Sequence, residues 1–124
     1  MSSLPATVSA ITLFVDDLAV ARSFYLDVFG LPVHFEDAES VVFAFGGVLV
    51  NLLVASAAPE LIEPALVGNG SRSVLTLPVD DVDARCDELR AKGVTLLNGP
   101  IDRPWGVRTA AFQDPDGHIW ELAH

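Results

Sequence analysis

The sequence predicts an α+β fold of two tandem β-α-β-β-β modules that form a curved, cup-shaped mixed sheet with helices on its outer face. Two observations predict this fold: an internal repeat, and the same order of element signals in each copy. Residues 11–18 recur as residues 75–82, with Val79 lying 64 positions after Val15 (79 minus 15). The 124 residues suit one domain, which we divide into module 1 (about 8–55), a linker (56–72) and module 2 (73–124).

Each copy opens with a strand pattern in which every second residue is aliphatic. Because successive side chains of a strand point to opposite faces, we expect one face of each strand to be covered by a helix. The aliphatic sets are Ile11, Leu13 and Val15 in the first copy and Leu75, Leu77 and Val79 in the second.

An amphipathic helix follows each opening strand. Asp17 and Asp81 stand where the N-cap belongs, and a carboxylate there accepts first-turn N–H groups. Gly30 and Gly93 suit the left-handed position that ends a helix. We expect a short strand to follow each glycine, over residues 30–33 and 93–96.

Each module then closes with a hairpin. Residues 41–58 are apolar enough to suggest a short membrane span, but two β-rich runs around Gly46 and Gly47 favour a buried hairpin. In the second copy, residues 114–117 read Asp-Pro-Asp-Gly, which is typical of a type I turn. The linker between the modules is long enough to suggest a lid or a dimer contact.

Composition and charge exclude several classes of partner. The chain is 51% hydrophobic and 19% charged, and its 17 acidic and 7 basic residues give a net charge of -10. This charge repels the phosphates of nucleic acids and of anionic membranes, so neither is expected as a partner. Residues 1–10 lack the basic and apolar regions of a signal peptide, and we expect a cytoplasmic protein.

Five further side chains are predicted to have structural or surface roles. Cys86 lies on the apolar stripe of its helix and is expected to be a packed thiol, and Trp120 is expected to face a helix. His118 and His124 are each three residues from Glu121, an odd spacing that points them to the opposite face. We interpret them, with His34, as surface or packing histidines.

The second face of each opening strand mixes small, polar and aromatic residues, which suits a ligand-lining surface. Repeat symmetry adds Asn51 and Glu121, each four residues after a turn glycine (47 to 51 and 117 to 121). Trp105 lies in a Pro-Trp-Gly loop, where it can stack on a flat ligand or fill the cup. The residues predicted to bind a ligand are Thr12, Phe14, Leu49, Asn51, Thr76, Trp105, Arg108 and Glu121.

Together these motifs resemble the vicinal oxygen chelate superfamily, which includes glyoxalase I, extradiol dioxygenases and bleomycin-resistance proteins. The resemblance spans nearly the whole chain. The segments that carry it are residues 15–18, 23–25, 29–31, 79–81, 93–94, 104–106 and 112–121.

The resemblance implies a divalent-metal site at four symmetric positions, which are Ala10, Asn51, Val74 and Glu121. Ala10 and Val74 have no atom that can bind a metal, and a stable site needs three or more protein donors. We therefore predict no metal and no other cofactor.

The resemblance favours a metal-free protein that binds or sequesters a small planar or cationic molecule in a homodimer cup. In that case Glu121 needs a partner for its charge, and Arg108 is the candidate. The alternative is a metal-dependent lyase, isomerase or dioxygenase in which Glu121 acts as general base or as the sole carboxylate ligand. A second alternative is a non-catalytic assembly domain. The ligand, and whether modules are swapped between subunits, stay open.

Overall fold

The computed structural model of the protein describes residues 3–124. The chain forms two compact units, divided between Val67 and Gly68, and each contains one four-stranded mixed sheet. The predicted α+β class with tandem β-α-β-β-β modules is confirmed. Met1 and Ser2, part of the stretch considered above for a signal peptide, lie outside the described residues. No helix within residues 3–124 is long and apolar enough to cross a membrane.

The first module has the strand order β1-β4-β3-β2. Strand β1 runs parallel to β4, and the other neighbours are antiparallel. Its elements are β1 (Ala10–Val15), α1 (Leu18–Phe29), β2 (Phe35–Glu36), β3 (Ser40–Phe45) and β4 (Val48–Val54). The predicted hairpin around Gly46 and Gly47 is thus confirmed as β3 and β4.

An aromatic cluster joins α1 to one face of this sheet. The ring of Tyr25, fully buried, lies 5.2 Å from that of Phe29 and 5.8 Å from that of Phe43. Leu13 and Val15 are buried on the same side of the sheet, as the aliphatic pattern predicts. Burial of such large apolar side chains is the main stabilising contribution to a domain of this size.

The ends of α1 follow the sequence prediction, but the strand after it does not. The Asp17 carboxylate accepts a hydrogen bond from the Val20 amide at 3.1 Å, and Gly30 is left-handed at φ 65°. The short strand expected over residues 30–33 is wrong, because Pro32 has no amide to donate. Pairing begins only where the His34 amide donates to Val42.

Two short helical segments occupy the first part of the predicted linker. A 3-10 helix spans Ala55–Ala57, and α2 spans Pro59–Ile62. Ala57 and Ala58 are buried, and both belong to the first compact unit. Neither helical segment is predicted from the sequence.

The second module repeats the arrangement with the order β5-β8-β7-β6. Strand β5 runs parallel to β8, while β8, β7 and β6 are antiparallel neighbours. Its elements are β5 (Val74–Pro78), α3 (Val82–Ala91), β6 (Leu96–Asp102), β7 (Arg108–Gln113) and β8 (Ile119–Ala123). The short strand expected over residues 93–96 begins at its last position and continues beyond it.

Helix α3 packs its apolar stripe on this second sheet. Val82 and Cys86 are fully buried, and Trp120 is 3% exposed, so the packed thiol and the core tryptophan are confirmed. Burial raises the pKa of the Cys86 thiol. The Asp81 carboxylate caps the helix by accepting from the Ala84 amide at 3.1 Å.

A turn and a bulge shape the antiparallel part of the second sheet. Asp114 accepts the Gly117 amide through its carbonyl at 3.1 Å, and its carboxylate accepts the Asp116 amide, which confirms the predicted turn. Strand β6 shifts register between Asn98 and Ile101, around the left-handed Gly99 at φ 86°. The bulge changes which residues of β6 share a face.

Candidate functional site

Each sheet has one face covered by its helix and one that is not, which we call the helix-free face. In the first module Thr12 pairs in register with Asn51, and Ala10 pairs with Leu49. Phe14 lies two residues beyond Thr12 on the same side. The structure thus brings the four predicted ligand-binding residues of the first module to one face.

Asn51 is held at the centre of this face by Thr12. Its amide nitrogen donates to the Thr12 hydroxyl oxygen at 3.4 Å. The Asn51 carbonyl oxygen, Oδ1, is buried and has no hydrogen-bond partner among residues 3–124. A buried acceptor without a donor is costly, and a ligand that donates to Oδ1 would remove that cost.

The second helix-free face carries the equivalent pair with different chemistry. The Thr76 hydroxyl donates to the Glu121 carboxylate at 3.0 Å, across the parallel pair of β5 and β8. Val74 and Ile119 pair next to them on the same face, and Val74 is 53% exposed. Glu121 is therefore a carboxylate acceptor on a largely apolar surface, in the position expected from the repeat.

The predicted pair between Arg108 and Glu121 is wrong. Arg108 donates from Nε and Nη2 to the two Asp83 oxygens at 2.7 and 2.9 Å, and from Nη1 to Asp102 at 3.0 Å. The reason is strand alternation. Glu121 pairs with Ala111, and Arg108 lies three residues before Ala111, an odd spacing that turns its side chain to the helix side of the sheet.

This ion-pair cluster is structural. The hydrogen bond from Arg108 holds the pKa of the Asp83 carboxyl below its usual range, and the two carboxylates raise the pKa of the Arg108 guanidinium. The arrangement joins α3 to β6 and β7. All three guanidinium nitrogens of Arg108 donate hydrogen bonds to these two carboxylates. Its contacts therefore do not support the predicted role of Arg108 in ligand binding.

Arg103 lies on the helix-free face of the second sheet and is not among the residues predicted from the sequence to bind a ligand. Its Nε donates to the Thr109 hydroxyl oxygen at 2.8 Å and its Nη2 to the Asn98 side-chain oxygen at 3.4 Å. Thr109 pairs with Ala123 in β8, two residues from Glu121 and on the same face. The face on which Arg103 lies cannot be found by counting alternate residues along the strand, because the bulge in β6 breaks the alternation of side chains between the two faces.

Trp105 is mostly exposed beside Arg103. The indole is 71% exposed, and the Arg103 guanidinium carbon lies 6.0 Å from its ring centre, within the range of a cation–π contact. Within the second module the indole therefore stands out as an exposed flat surface next to a positive charge.

A pocket of about 350 Å³ lies at the end of the second sheet. His124 lines it, and its Nδ1 accepts the Val82 amide at 3.0 Å, so this histidine helps to cap α3. That contact confirms a packing role for His124. The residues that line the pocket are Asp102, Arg103, Gly106, Val107, Arg108 and His124.

The four positions that the resemblance assigns to a metal do not fit one. Ala10 and Val74 carry only hydrocarbon side chains, and Asn51 and Glu121 each hold a hydrogen bond from or to a threonine. Two oxygen ligands, one of them an amide, fall short of the three or more donors of a stable site. The part of the chain that the structure describes also contains no group of three His, Cys, Asp or Glu residues that could hold a metal ion.

Comparisons with known proteins agree with this architecture. YraH of Bacillus subtilis (strain 168) is 34% identical over 119 residues, covering 90% of this chain and 93% of that protein. A probable lactoylglutathione lyase of Synechocystis sp. is 30% identical over 115 residues, covering 87% of each. A crystal structure of a glyoxalase-related enzyme from Fulvimarina pelagi superposes with a TM-score of 0.85 at 28% identity, covering 96% of this chain and 88% of that one.

A match to a protein-family model assigns the chain to a family. Residues 7–122 match the model of the Glyoxalase/Bleomycin resistance protein/Dioxygenase superfamily, which covers both modules. The chain belongs to this superfamily, that of the vicinal oxygen chelate proteins.

Proposed function

We propose that this protein binds and sequesters a small organic molecule without a metal ion, using the helix-free faces of its sheets. One observation carries the proposal: two of the four metal positions of the family are Ala10 and Val74, which have no donor atom. The side chains at the other two positions, Asn51 and Glu121, are each oriented by a hydrogen bond with a threonine. Polar groups fixed on an otherwise apolar surface are typical of small-molecule sites.

The chemistry of these faces suits a planar or cationic molecule. Glu121 is an acceptor that attracts a cationic or hydroxyl-bearing group, and the net charge of -10 favours the approach of cations. On the face of the first module, the Asn51 oxygen offers an acceptor that has no hydrogen-bond partner among the described residues. Trp105 offers a flat exposed surface for stacking. We further propose that the protein works as a homodimer, as the family resemblance implies, and that it does so in the cytoplasm.

A metal-dependent lyase is the second candidate, since one relative is named a probable lactoylglutathione lyase. In that case Glu121 would be the general base or the one carboxylate ligand of the metal. The donor set weighs against it, because Thr76 already donates to Glu121 and Ala10 and Val74 contribute nothing.

Metal analysis and native mass spectrometry of protein purified without chelator separate the two candidates. We expect far less than one metal ion per chain, and a co-purified organic mass whose amount Glu121→Ala reduces. Glu60, an exposed glutamate in α2, provides a matched control, and Glu60→Ala should retain that mass. Stoichiometric zinc, nickel, manganese or iron that Glu121→Ala removes would overturn the binding proposal. Absence of any bound mass, with no binding of planar probes, would favour an assembly domain.

A further inference from the structure

Arg103 is fixed by two side-chain hydrogen bonds, yet it has no carboxylate partner within residues 3–124. Its two hydrogen bonds go to neutral oxygens, those of Thr109 and Asn98. By contrast, Arg22, Arg85, Arg90 and Arg108 each form an ion pair with at least one carboxylate. In a chain with 17 acidic residues, a fixed arginine without a carboxylate partner is a notable exception.

The two hydrogen bonds also determine which edge of the guanidinium is available. A guanidinium has five N–H donors in a planar fork. Thr109 and Asn98 occupy the edge formed by Nε and Nη2, and Nη1 has no hydrogen bond within the described chain. The edge formed by Nη1 and Nη2 therefore has free donors, and such an edge matches the two oxygens of a carboxylate.

The position of Arg103 places this edge near the predicted ligand surface. Asn98, Ala111 and Glu121 pair in register across β6, β7 and β8. Asn98 and Glu121 are thus two strand spacings apart, about 10 Å. A small molecule on this face can reach both Glu121 and Arg103, with Trp105 at the edge.

We propose that Arg103, with Trp105, binds a carboxylate group of a planar ligand. This inference rests on the proposed function, and it narrows the ligand to a carboxylic acid whose ring stacks on the indole. The net charge of the chain repels an anion at long range, so the site depends on this local charge. The opposite end of the same molecule would donate a hydrogen bond to Glu121.

The test is calorimetric titration with naphthoate and its neutral counterpart naphthamide. We expect naphthoate to bind more tightly than naphthamide, and Arg103→Gln to weaken naphthoate about tenfold with naphthamide unchanged. Arg103→Lys, which keeps the charge but loses the fork, should fall between wild type and Arg103→Gln. Arg90, exposed on α3 and paired with Asp87, provides the matched control, since Arg90→Gln should change neither affinity.

The outcomes distinguish this inference from the proposed function. The carboxylate site is wrong if naphthamide binds and naphthoate binds no more tightly than it does. It is also wrong if Arg103→Gln leaves the affinity for naphthoate unchanged. In both cases the proposal of small-molecule binding stands. If neither probe binds to the wild type, the carboxylate site is overturned, and the co-purified organic mass decides the proposed function separately. Circular dichroism and thermal unfolding establish whether each variant is folded. If Arg103→Gln does not fold, the naphthoate affinity of Arg103→Lys tests the proposal instead.

Discussion

The Thr76 hydroxyl donates to the Glu121 carboxylate at 3.0 Å, between two parallel strands of the second module. Thr12 and Asn51 repeat this relationship in the first module, with the direction of the hydrogen bond reversed. The two modules therefore share a geometry, a threonine beside a polar residue of the closing strand, but differ in charge. That difference makes Glu121 the carboxylate to test on these faces.

The first prediction concerns this carboxylate. Glu121→Gln keeps the shape and can still accept from Thr76, but it removes the negative charge. We expect it to weaken the binding of the cationic probe naphthylmethylamine about tenfold, the effect of one charge-assisted hydrogen bond. Calorimetric titration checks this. Glu60→Gln is the control, and an equal loss there would assign the effect to net charge instead.

The second prediction concerns the two helix caps. Asp17 and Asp81 each accept a first-turn amide at 3.1 Å. Replacing either with Ala should lower the free energy of unfolding by about 1 kcal/mol, measured by urea denaturation. Asp27, exposed in α1, provides the control, because it lies far from the N-terminal turn. A loss in Asp27→Ala equal to that in Asp17→Ala would contradict a capping role.

Local sequence signals predicted much of the fold, because the interactions behind them span few residues. The caps at Asp17 and Asp81, and the turn at residues 114–117, depend on groups within a few positions along the chain. Strand alternation also placed Asn51 and Glu121 on the same faces as Thr12 and Thr76, since no bulge interrupts β4 or β8.

The partners of the arginines could not be predicted in the same way. Arg108 meets Asp83 from α3 and Asp102 from β6, which requires knowing which elements pack together. Arg103 follows two register shifts in β6, and each shift defeats the counting of alternate residues. The cationic group of the proposed site therefore became visible only in the structure.

The third prediction uses the pKa of Asp83. Arg108 lowers it in the folded chain, so the folded state favours the ionised form. This contribution to stability is present above the ordinary pKa of an aspartate and disappears as the pH falls through the lower, folded value. Asp83→Asn should therefore be less stable than wild type at pH 7, and the difference should shrink below about pH 4. Urea unfolding from pH 7 to pH 3 checks this.

A control separates the ion pair from general acid effects. Asp87 pairs with Arg90 on the exposed side of the same helix. Asp87→Asn should leave stability nearly unchanged at every pH, as expected for an exposed pair. A stability difference for Asp83→Asn that stays constant down to pH 3 would show that the carboxylate charge is not its source.

The fourth prediction concerns the bulge that orients Arg103. A Cβ at Gly99 would lie 2.5 Å from the Thr109 carbonyl oxygen and 2.6 Å from the Ala110 Cα, and φ is 86°. Gly46, at φ 61° with no atom near its Cβ position, has only the conformational cost. We expect Gly99→Ala to lose about 3 kcal/mol or more and Gly46→Ala about 1 kcal/mol, measured by urea denaturation. Gly99→Ala should also weaken naphthoate binding, because a displaced backbone at Thr109 moves a hydrogen-bond partner of Arg103. Equal stability losses in Gly99→Ala and Gly46→Ala would contradict the close contact between Gly99 and the backbone of Thr109 and Ala110.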